Sequence, residues 1–261
     1  QCTCGYKFCF TCKHEAHSPA TCEQVKIWNE KCSNDSETSH WVGANTKPCP
    51  RCTVVVEKNG GCNHMTCRQC AYEWCWLCIK PWKGHNDYYS CNRYEKAVKV
   101  AAKKSSKKKK FQKLEEERER QKQQLERYLH YYKRYVNHDT ASKLEKSNLE
   151  KAQQKMDDLQ SEISTKAEVQ FIKSGIKALQ ECHVALKYSY MYAFFLPEEG
   201  HHKALLNLLQ QELEKTTEEL SEIMEAPSTV ICTKRTESID LTKLALKKVD
   251  NMLSGLEGDL L

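Results

Sequence analysis

Long apolar segments are absent from this sequence of 261 residues. No run of about 18 or more apolar residues occurs, so no membrane-spanning helix is expected. The first residues also lack the pattern of a secretory signal peptide, because Cys-rich sequence follows Gln1 at once. We therefore expect no membrane partner.

Cysteine is almost absent from the second part of the chain. Of the 16 Cys, 14 lie in residues 1–91, and only Cys182 and Cys232 lie beyond. A disulfide-rich secreted module is one explanation for dense cysteines. Repeated Cys-x-x-Cys units with interspersed His favour zinc instead, as does the Lys-rich remainder. This pattern points to a reducing compartment, so we predict a cytoplasmic protein, with the nucleus as a second location.

Acidic residues are scarce between Arg93 and Lys113, where ten Lys or Arg accompany Glu95, while the net charge of the chain is +6. A basic run can bind nucleic acid or act as a nuclear signal. The segment from Lys103 to Lys110 contains no aromatic residue that could stack on bases. We therefore predict a solvated linker over residues 92–113 and no nucleic-acid partner.

The segment from Cys49 to Cys91 holds ten candidate zinc ligands, eight Cys and two His. Eight of them form pairs on one knuckle or short loop each: Cys49/Cys52, Cys67/Cys70, Cys75/Cys78 and His85/Cys91. Four ligands complete a tetrahedral structural site, so these pairs predict two zinc sites. A unit of about 43 residues cannot rely on a hydrophobic core alone, and zinc must supply roughly 10 kcal/mol or more per site.

The first 22 residues contain a further ligand set. Its members supply a third complete site: Cys9, Cys12, His17 and Cys22. Cys2 and Cys4 have the spacing of half a site whose partners would lie upstream of Gln1, although they could also be free thiols. We expect three complete zinc sites plus one half site, in a fragment of a longer protein.

Cys62 and His64 remain after the zinc sites are complete, beside Gly60 and Gly61. A spare thiol close to a spare imidazole is the composition of a nucleophile and its base. A surface imidazole beside a turn is the simpler alternative for His64, because spacing does not show where the ring points.

Two short strands are predicted around this loop, at 54–56 and 72–76, where β-branched and aromatic residues concentrate. Trp74 and Trp76 would then face opposite sides, one packing on the zinc core and the other available to a partner. Residues 23–48 are predicted as a linker with a short helix from Cys22 to Cys32.

Apolar residues recur at spacings of 3 and 4 from Leu114 onward, as in amphipathic helices. We expect a break at 137–139, helix ends before Pro197 and Pro227, and Asp240 as the N-cap of the last helix. The predicted fold class is small zinc-stabilised modules followed by an all-α helical bundle.

The sequence resembles one family over nearly its whole length. Residues 1–22 carry Cys-x-Cys-x4-Cys-x2-Cys-x4-His-x4-Cys, similar to the C-terminal part of an in-between-RING domain. Residues 49–91 resemble the catalytic second RING-like domain of RING-between-RING (RBR) ubiquitin ligases, through the stretch EKNGGCNHM at 57–65. Residues 114–261 resemble the Ariadne domain, through 126–135, 169–172 and 188–196. The chain is identified as similar to a fragment of an Ariadne-type RBR ubiquitin-protein ligase.

The resemblance implies a two-step acyl transfer. Ubiquitin would pass from the thioester of a ubiquitin-conjugating enzyme to Cys62, and then to a lysine of a protein substrate. We predict that His64 is the general base for lysine attack. Glu73 matches an acidic residue that can orient this histidine, although an exposed strand glutamate is an alternative. The first RING, which recruits the conjugating enzyme in the family, is missing from this sequence.

The resemblance also implies autoinhibition. In the family the Ariadne domain packs on the catalytic domain and blocks the nucleophile, and neddylated cullin–RING ligases relieve the block. Leu144, Glu145 and Glu225 match contact positions, although on chemistry alone they are solvated or core helix residues. A non-catalytic zinc-binding adaptor is the alternative function, and an unreactive Cys62 would favour it.

Overall fold

A computed structural model describes residues 7–34, 46–58, 61–85, 91, 93–94, 109–162 and 166–257. The predicted half site at Cys2 and Cys4 and most of the predicted basic linker lie outside these ranges. Among the described helices, none combines the length and the apolar character needed to cross a membrane.

The described residues of the first part of the chain form one helix and four short strands. They are α1 (Cys22–Asn34), β1 (Thr46–Pro48), β2 (Val55–Glu57), β3 (His64–Thr66) and β4 (Glu73–Cys75). The strands form two antiparallel pairs, β1 with β2 and β3 with β4. The predicted short helix and both predicted strands are confirmed within two residues at their ends.

Four turns of this region share one backbone geometry. In each Cys-x-x-Cys turn the carbonyl of the first Cys accepts a hydrogen bond from the N–H four residues later. The four donors have positive φ angles of 62°, 61°, 52° and 63°, and they are Lys13, Thr53, Ala71 and Ile79. The left-handed region costs a non-glycine residue about 1–2 kcal/mol, a cost that a metal ion bound by the cysteines would offset.

Trp74 and Trp76 are both buried, and their ring centroids lie 5.7 Å apart in a cluster with Met65. The prediction that one tryptophan faces a partner is therefore wrong. Strand β4 ends at Cys75, so the alternation of faces does not extend to Trp76.

The described residues from Lys109 to Glu257 are mostly helical, as predicted. Its helices are α2 (Lys109–Glu162), α3 (Lys166–Phe195), α4 (His201–Glu225), α5 (Ser228–Thr233) and α6 (Arg235–Glu257). The ends of α3 and α4 fall just before Pro197 and Pro227, as predicted, because proline has no backbone N–H to continue a helix.

The long helices are antiparallel to their neighbours. Arg127 of α2 donates to the carbonyl of Phe194 at the end of α3, and Gln210 of α4 donates to Ser189 of α3. Lys248 of α6 contacts Glu212 of α4, so these two helices are also antiparallel. The bundle encloses a core rich in tyrosine, leucine and methionine.

Two helix predictions were wrong. Helix α2 continues through 137–139, where a break was expected, because His138 and Asn137 are buried and tertiary contacts override their weak helix propensity. Asp240 is not an N-cap, because α6 begins five residues earlier, at Arg235.

The region that carries the clustered cysteines and histidines docks on the helical bundle. Trp28 of α1 is fully buried, with its ring 5.4 Å from those of Tyr135 and Phe194. Glu15 accepts hydrogen bonds from Lys187 and from the hydroxyl of Tyr188 on α3. The helical bundle is therefore fixed against the region that carries the ligand clusters.

Candidate active site

Twelve predicted ligands form three separate clusters among the described residues. Each cluster has four Cys or His side chains whose ligand atoms all lie within 4.8 Å of one another. The members are Cys9, Cys12, His17 and Cys22; Cys49, Cys52, Cys67 and Cys70; and Cys75, Cys78, His85 and Cys91.

The ligand spacing within the clusters fits a tetrahedral metal ion. Paired sulfur atoms are 3.6 Å apart in Cys9/Cys22, 3.7 Å in Cys49/Cys70 and 4.0 Å in Cys75/Cys91. A tetrahedron with metal–sulfur bonds near 2.3 Å has sulfur–sulfur edges of about 3.8 Å. These distances are too long for disulfide bonds, so the cysteines are arranged as ligands.

His17 is oriented for metal binding by its second nitrogen. Its Nδ1 lies 2.7 Å from the carbonyl oxygen of Ala20, while its Nε2 lies 3.3 Å from the sulfur of Cys12. A hydrogen bond to a backbone carbonyl fixes the tautomer that leaves Nε2 free for a metal.

Cys62 lies outside all three clusters, in a loop that leads directly into β3. Its side chain is half-buried, and its sulfur accepts a hydrogen bond from the backbone N–H of His64 at 3.3 Å. Asn63 between them is buried. The loop thus holds the thiol and the imidazole at one end of the β3–β4 hairpin.

The His64 ring is fixed by two neighbours. It stacks on Trp82, with ring centroids 4.3 Å apart and an angle of 7° between the planes. Its Nε2 is 3.8 Å from a carboxylate oxygen of Glu73, which is longer than a hydrogen bond. Glu73 pairs with Thr66 in the hairpin, so it lies diagonally across from His64 on one face.

Helix α4 presents two carboxylates to the backbone of the Cys62 loop. Glu225 accepts hydrogen bonds from the N–H of Gly61 at 2.8 Å and from the N–H of Cys62 at 3.3 Å. Glu218 accepts a hydrogen bond from the N–H of Asn63 at 2.6 Å. Three consecutive backbone donors of the loop are therefore occupied by acidic side chains of the helical part.

These carboxylates disfavour the thiolate form of Cys62. Burial raises the pKa of its thiol well above the usual range, and the negative charges of Glu218 and Glu225 raise it further. The pKa of Glu218 itself is raised to about 7, mainly by burial. Lys58, whose ammonium donates to the carbonyl of Gly61 at 2.9 Å, partly offsets the negative charge.

Behind the loop lies a buried polar chain that joins three helices. His138 of α2 contacts Glu214 of α4 at 2.9 Å, and its other nitrogen lies 3.1 Å from His183 of α3. Burial lowers the pKa of His183 well below its usual value, so this ring is neutral. A Cβ atom on Gly61 would lie 3.0 Å from its Nε2, which shows how closely the loop meets the helices.

A cavity of about 690 Å³ opens beside Cys62 and His64, between the loop and the helical part. Its lining includes residues 54–57, of which 55–57 form β2, and Glu145, Ile176 and Glu225 of the helical part. The cavity brings a thiol, an imidazole and an extended strand to one space that a chain end could enter.

The predicted site residues are distributed unevenly around this loop. Cys62, His64 and Glu73 lie on the loop and hairpin, and Glu225 contacts the loop directly. Glu145 is buried at the cavity wall, 3.1 Å from a Cβ built on Gly61, and burial raises its pKa to about 7. Leu144 is half-buried one residue earlier on α2.

Two residues that contact the loop and the imidazole, Glu218 and Trp82, were not predicted from the sequence. The signal for Glu218 was present, because Glu214, Glu218, Ser221 and Glu225 follow at spacings of 4, 3 and 4 and form a polar stripe on α4. Trp82 gave no such signal, because only the fold brings it onto His64.

Comparison with known proteins finds two domains. The IBR domain model matches residues 44–98, and the Ariadne domain model matches residues 126–261. The chain is 42% identical over 228 residues to the E3 ubiquitin-protein ligase dbl4 of Schizosaccharomyces pombe, covering 87% of this chain and 43% of that protein. It is 40% identical over 228 residues to the E3 ubiquitin-protein ligase ARIH1 of Homo sapiens, covering 86% and 39%. The chain spans less than half the length of these relatives.

Proposed function

The chain belongs to the Ariadne family, and from this premise we propose that it carries the catalytic centre of an RBR-type ubiquitin-protein ligase. In this function Cys62 accepts ubiquitin from the thioester of a conjugating enzyme and passes it to a substrate lysine. The relatives named above are E3 ubiquitin-protein ligases, which supports the general activity.

The main support for Cys62 as the ubiquitin carrier is its position outside the metal clusters. Three sets of four ligands are complete without it, yet Cys62 and His64 line the same cavity. A thiol that serves only packing would have no need of an open space beside it. Strand β2 and the preceding Val54, which line the cavity, would offer backbone groups to an extended chain end, such as the C-terminal tail of ubiquitin.

The two steps make different demands on the site. The first step exchanges one thioester for another and needs Cys62 as a thiolate. The second step needs removal of a proton from the attacking lysine, which we assign to His64 as general base. Trp82 fixes the plane of the imidazole by stacking, with the Glu73 carboxylate 3.8 Å from Nε2, so the orientation of the ring does not depend on the substrate.

We assign zinc to the three ligand clusters, because their donor set consists of thiolate and imidazole groups at tetrahedral spacing. Zinc would hold the knuckles on either side of the loop and take no part in the transfer.

The described arrangement supports autoinhibition by the helical part. Glu218 and Glu225 occupy the backbone of the Cys62 loop, and their charges oppose thiolate formation. We propose that this closed state is opened by a partner, for which the family suggests a neddylated cullin–RING ligase. Leu144 and Glu145 would contribute to the closed interface from α2. A cytoplasmic or nuclear location would bring the protein to these partners.

The test combines the full-length protein with a conjugating enzyme charged with ubiquitin. We expect a ubiquitin adduct that reducing agents cleave, and expect Cys62→Ser to give at most an adduct that only hydroxide cleaves. Cys232→Ser is the matched control, since Cys232 is exposed and remote in sequence. A reducible adduct with Cys62→Ala would show that another thiol carries ubiquitin. A thiol that forms no adduct even after Glu225→Ala would favour the adaptor function.

A further inference from the structure

The Cys62 loop directs three consecutive backbone N–H groups at carboxylates rather than at carbonyl groups of its own fold. The donors belong to Gly61, Cys62 and Asn63, and the acceptors are Glu225 and Glu218 of α4. Neighbouring N–H groups that converge on one side of a turn form a concave site for an anion. One oxygen of Glu225 receives two of these bonds, from Gly61 and Cys62.

This arrangement has the geometry of a site for a developing negative charge. The donors adjoin the nucleophile itself, as in the oxyanion holes of acyl-transfer enzymes, where donors lie about 2.7–3.1 Å from the oxyanion. Gly61 meets that distance at 2.8 Å, and Cys62 lies slightly outside it at 3.3 Å. The carboxylate oxygen of Glu225 stands in for the carbonyl oxygen of an acyl group bonded to Cys62.

We propose that the backbone N–H groups of Gly61 and Cys62 form the oxyanion hole for ubiquitin transfer, and that Glu225 inhibits by occupying it. This inference rests on the proposed function of Cys62. Glu218 extends the same block to the N–H of Asn63 and places a second carboxyl beside the thiol. In the closed state the helical part therefore places a carboxylate where the oxyanion of the reaction intermediate would lie, in addition to covering the thiol.

The transfer chemistry identifies the charge that the site would hold. The Cys62 thiolate forms a bond to the carbonyl carbon of the conjugating enzyme's thioester, and the carbonyl π electrons move to its oxygen. The oxyanion then returns these electrons, and the thiolate of the conjugating enzyme leaves. In the second step the lysine nitrogen attacks, its proton passes to His64, and the Cys62 thiolate leaves. Each step passes through one oxyanion on the carbon bonded to the Cys62 sulfur, within reach of the same N–H groups.

The position of Glu225 makes it displaceable. Its side chain is exposed although its oxygen reaches the loop, whereas Glu218 is buried. Removing Glu225 therefore opens the anion site at its edge and leaves the core of α4 in place. Glu222, which is exposed one turn earlier on the same helix, offers a matched control.

The test uses the zinc-loaded chain with Glu225→Ala and follows the amide protons of Gly61 and Cys62 by NMR. In the unsubstituted chain both protons should resonate downfield, because they donate to a carboxylate, and Glu225→Ala should move them upfield. Two ubiquitin probes are then attached to Cys62 of the variant. The C-terminal aldehyde gives a tetrahedral hemithioacetal that carries an oxygen, whereas the C-terminal propargylamide gives a vinyl thioether without one.

We expect the aldehyde adduct to return both amide protons downfield and the propargylamide adduct to leave them upfield. Glu222→Ala should keep the resonances of the unsubstituted chain. Equal amide shifts with both probes would overturn the oxyanion assignment while leaving Cys62 as the ubiquitin carrier. If neither probe bonds to Cys62, the proposed function fails and this inference fails with it.

Glu225→Gln provides a second, isosteric variant in case the truncation disturbs the helix. The amide oxygen of glutamine keeps the shape but removes the negative charge, so adduct formation from charged conjugating enzyme should rise by about fivefold or more. An unchanged rate in Glu225→Gln, with intact zinc content, would show that the carboxylate does not compete with the reacting carbonyl.

Discussion

At the scale of single residues, the His64 imidazole is held by stacking rather than by a strong hydrogen bond. Trp82 lies parallel to the ring at 4.3 Å, while the Glu73 carboxylate is 3.8 Å away. A general base that must accept a proton from a lysine needs a free nitrogen as well as a fixed plane. Stacking supplies the plane without occupying either nitrogen.

His64→Ala should separate the two steps of transfer. We expect the reducible ubiquitin adduct on Cys62 to form at a nearly unchanged rate, because thioester exchange needs little proton transfer. Discharge to free lysine should slow by roughly 10²–10⁴-fold, the usual contribution of a general base. Single-turnover discharge of the preformed adduct measures this directly.

His14→Ala is the control for that measurement, since His14 is an exposed histidine outside the three clusters. Equal discharge rates for the unsubstituted chain and His64→Ala would remove His64 from the mechanism.

At the scale of elements, α1 connects the first ligand cluster to the helical bundle through one side chain. Trp28 is fully buried between α2 and α3, whereas the adjacent Ile27 is exposed. Trp28→Ala should lower the free energy of unfolding by about 3–5 kcal/mol, through lost burial and an unfilled cavity. Ile27→Ala should change it by less than about 0.5 kcal/mol. Denaturant unfolding of the zinc-loaded chain measures both, and equal losses would contradict the role of Trp28 as the anchor.

At Gly61 the Cys62 loop approaches α2 and α3 too closely to leave room for a side chain. A Cβ atom there would lie 3.0 Å from Nε2 of His183, and this ring is itself held by His138. Gly61→Ala should therefore weaken the closed state and raise the rate of Cys62 alkylation by iodoacetamide about tenfold, a typical coupling effect. Gly255→Ala is the control, because its Cβ would have only an ordinary contact of 3.6 Å with Leu209. An unchanged alkylation rate in Gly61→Ala would show that the helices accommodate the added methyl group without weakening the closed state.

The sequence predicted the ligand clusters and the ends of α3 and α4, because these depend on local spacing and on proline chemistry. It did not predict the left-handed turn residues such as Thr53 and Ala71, since neither is the glycine that usually marks that conformation. The prediction of a helix break at His138 was wrong for another reason. Its side chain is used in a buried contact with Glu214, 76 residues away, which no local pattern contains.

The residues of the candidate site also fall into two groups, those that a local sequence pattern identifies and those that only the fold brings together. Cys62 and His64 were recognisable because they remained after ligand counting, which is a local argument. Trp82 reaches His64 only through the fold of the third cluster, and Glu218 reaches Asn63 across 155 residues. No local pattern links Trp82 to His64, whereas the polar stripe of α4 marked Glu218 without identifying Asn63 as its partner.

At the scale of the whole molecule, the closed arrangement depends on carboxyl groups buried between the two parts of the chain. Burial raises the pKa values of Glu218 and Glu145 to about 7, and nearby acidic groups, Glu214 and Glu225 respectively, add to the effect. Lys58 opposes both shifts. In an open state these carboxyls would face water, with pKa values near 4.5.

The closed state should therefore weaken as the pH rises. Because the closed carboxyls have raised pKa values, the stabilisation is complete below about pH 4.5 and is lost as the pH approaches 7. The ratio of open to closed molecules should rise by up to about tenfold per pH unit for each proton released.

The measurement that tests this pH dependence is the alkylation rate of Cys62 between pH 5.5 and 7. This rate is divided by the rate in an open variant, Glu218→Ala with Glu225→Ala. This division cancels the intrinsic pH dependence of the thiol, and the slope should disappear in Glu145→Gln with Glu218→Gln. Protection that is constant with pH in the unsubstituted chain would mean that both carboxyls remain ionised in the closed state.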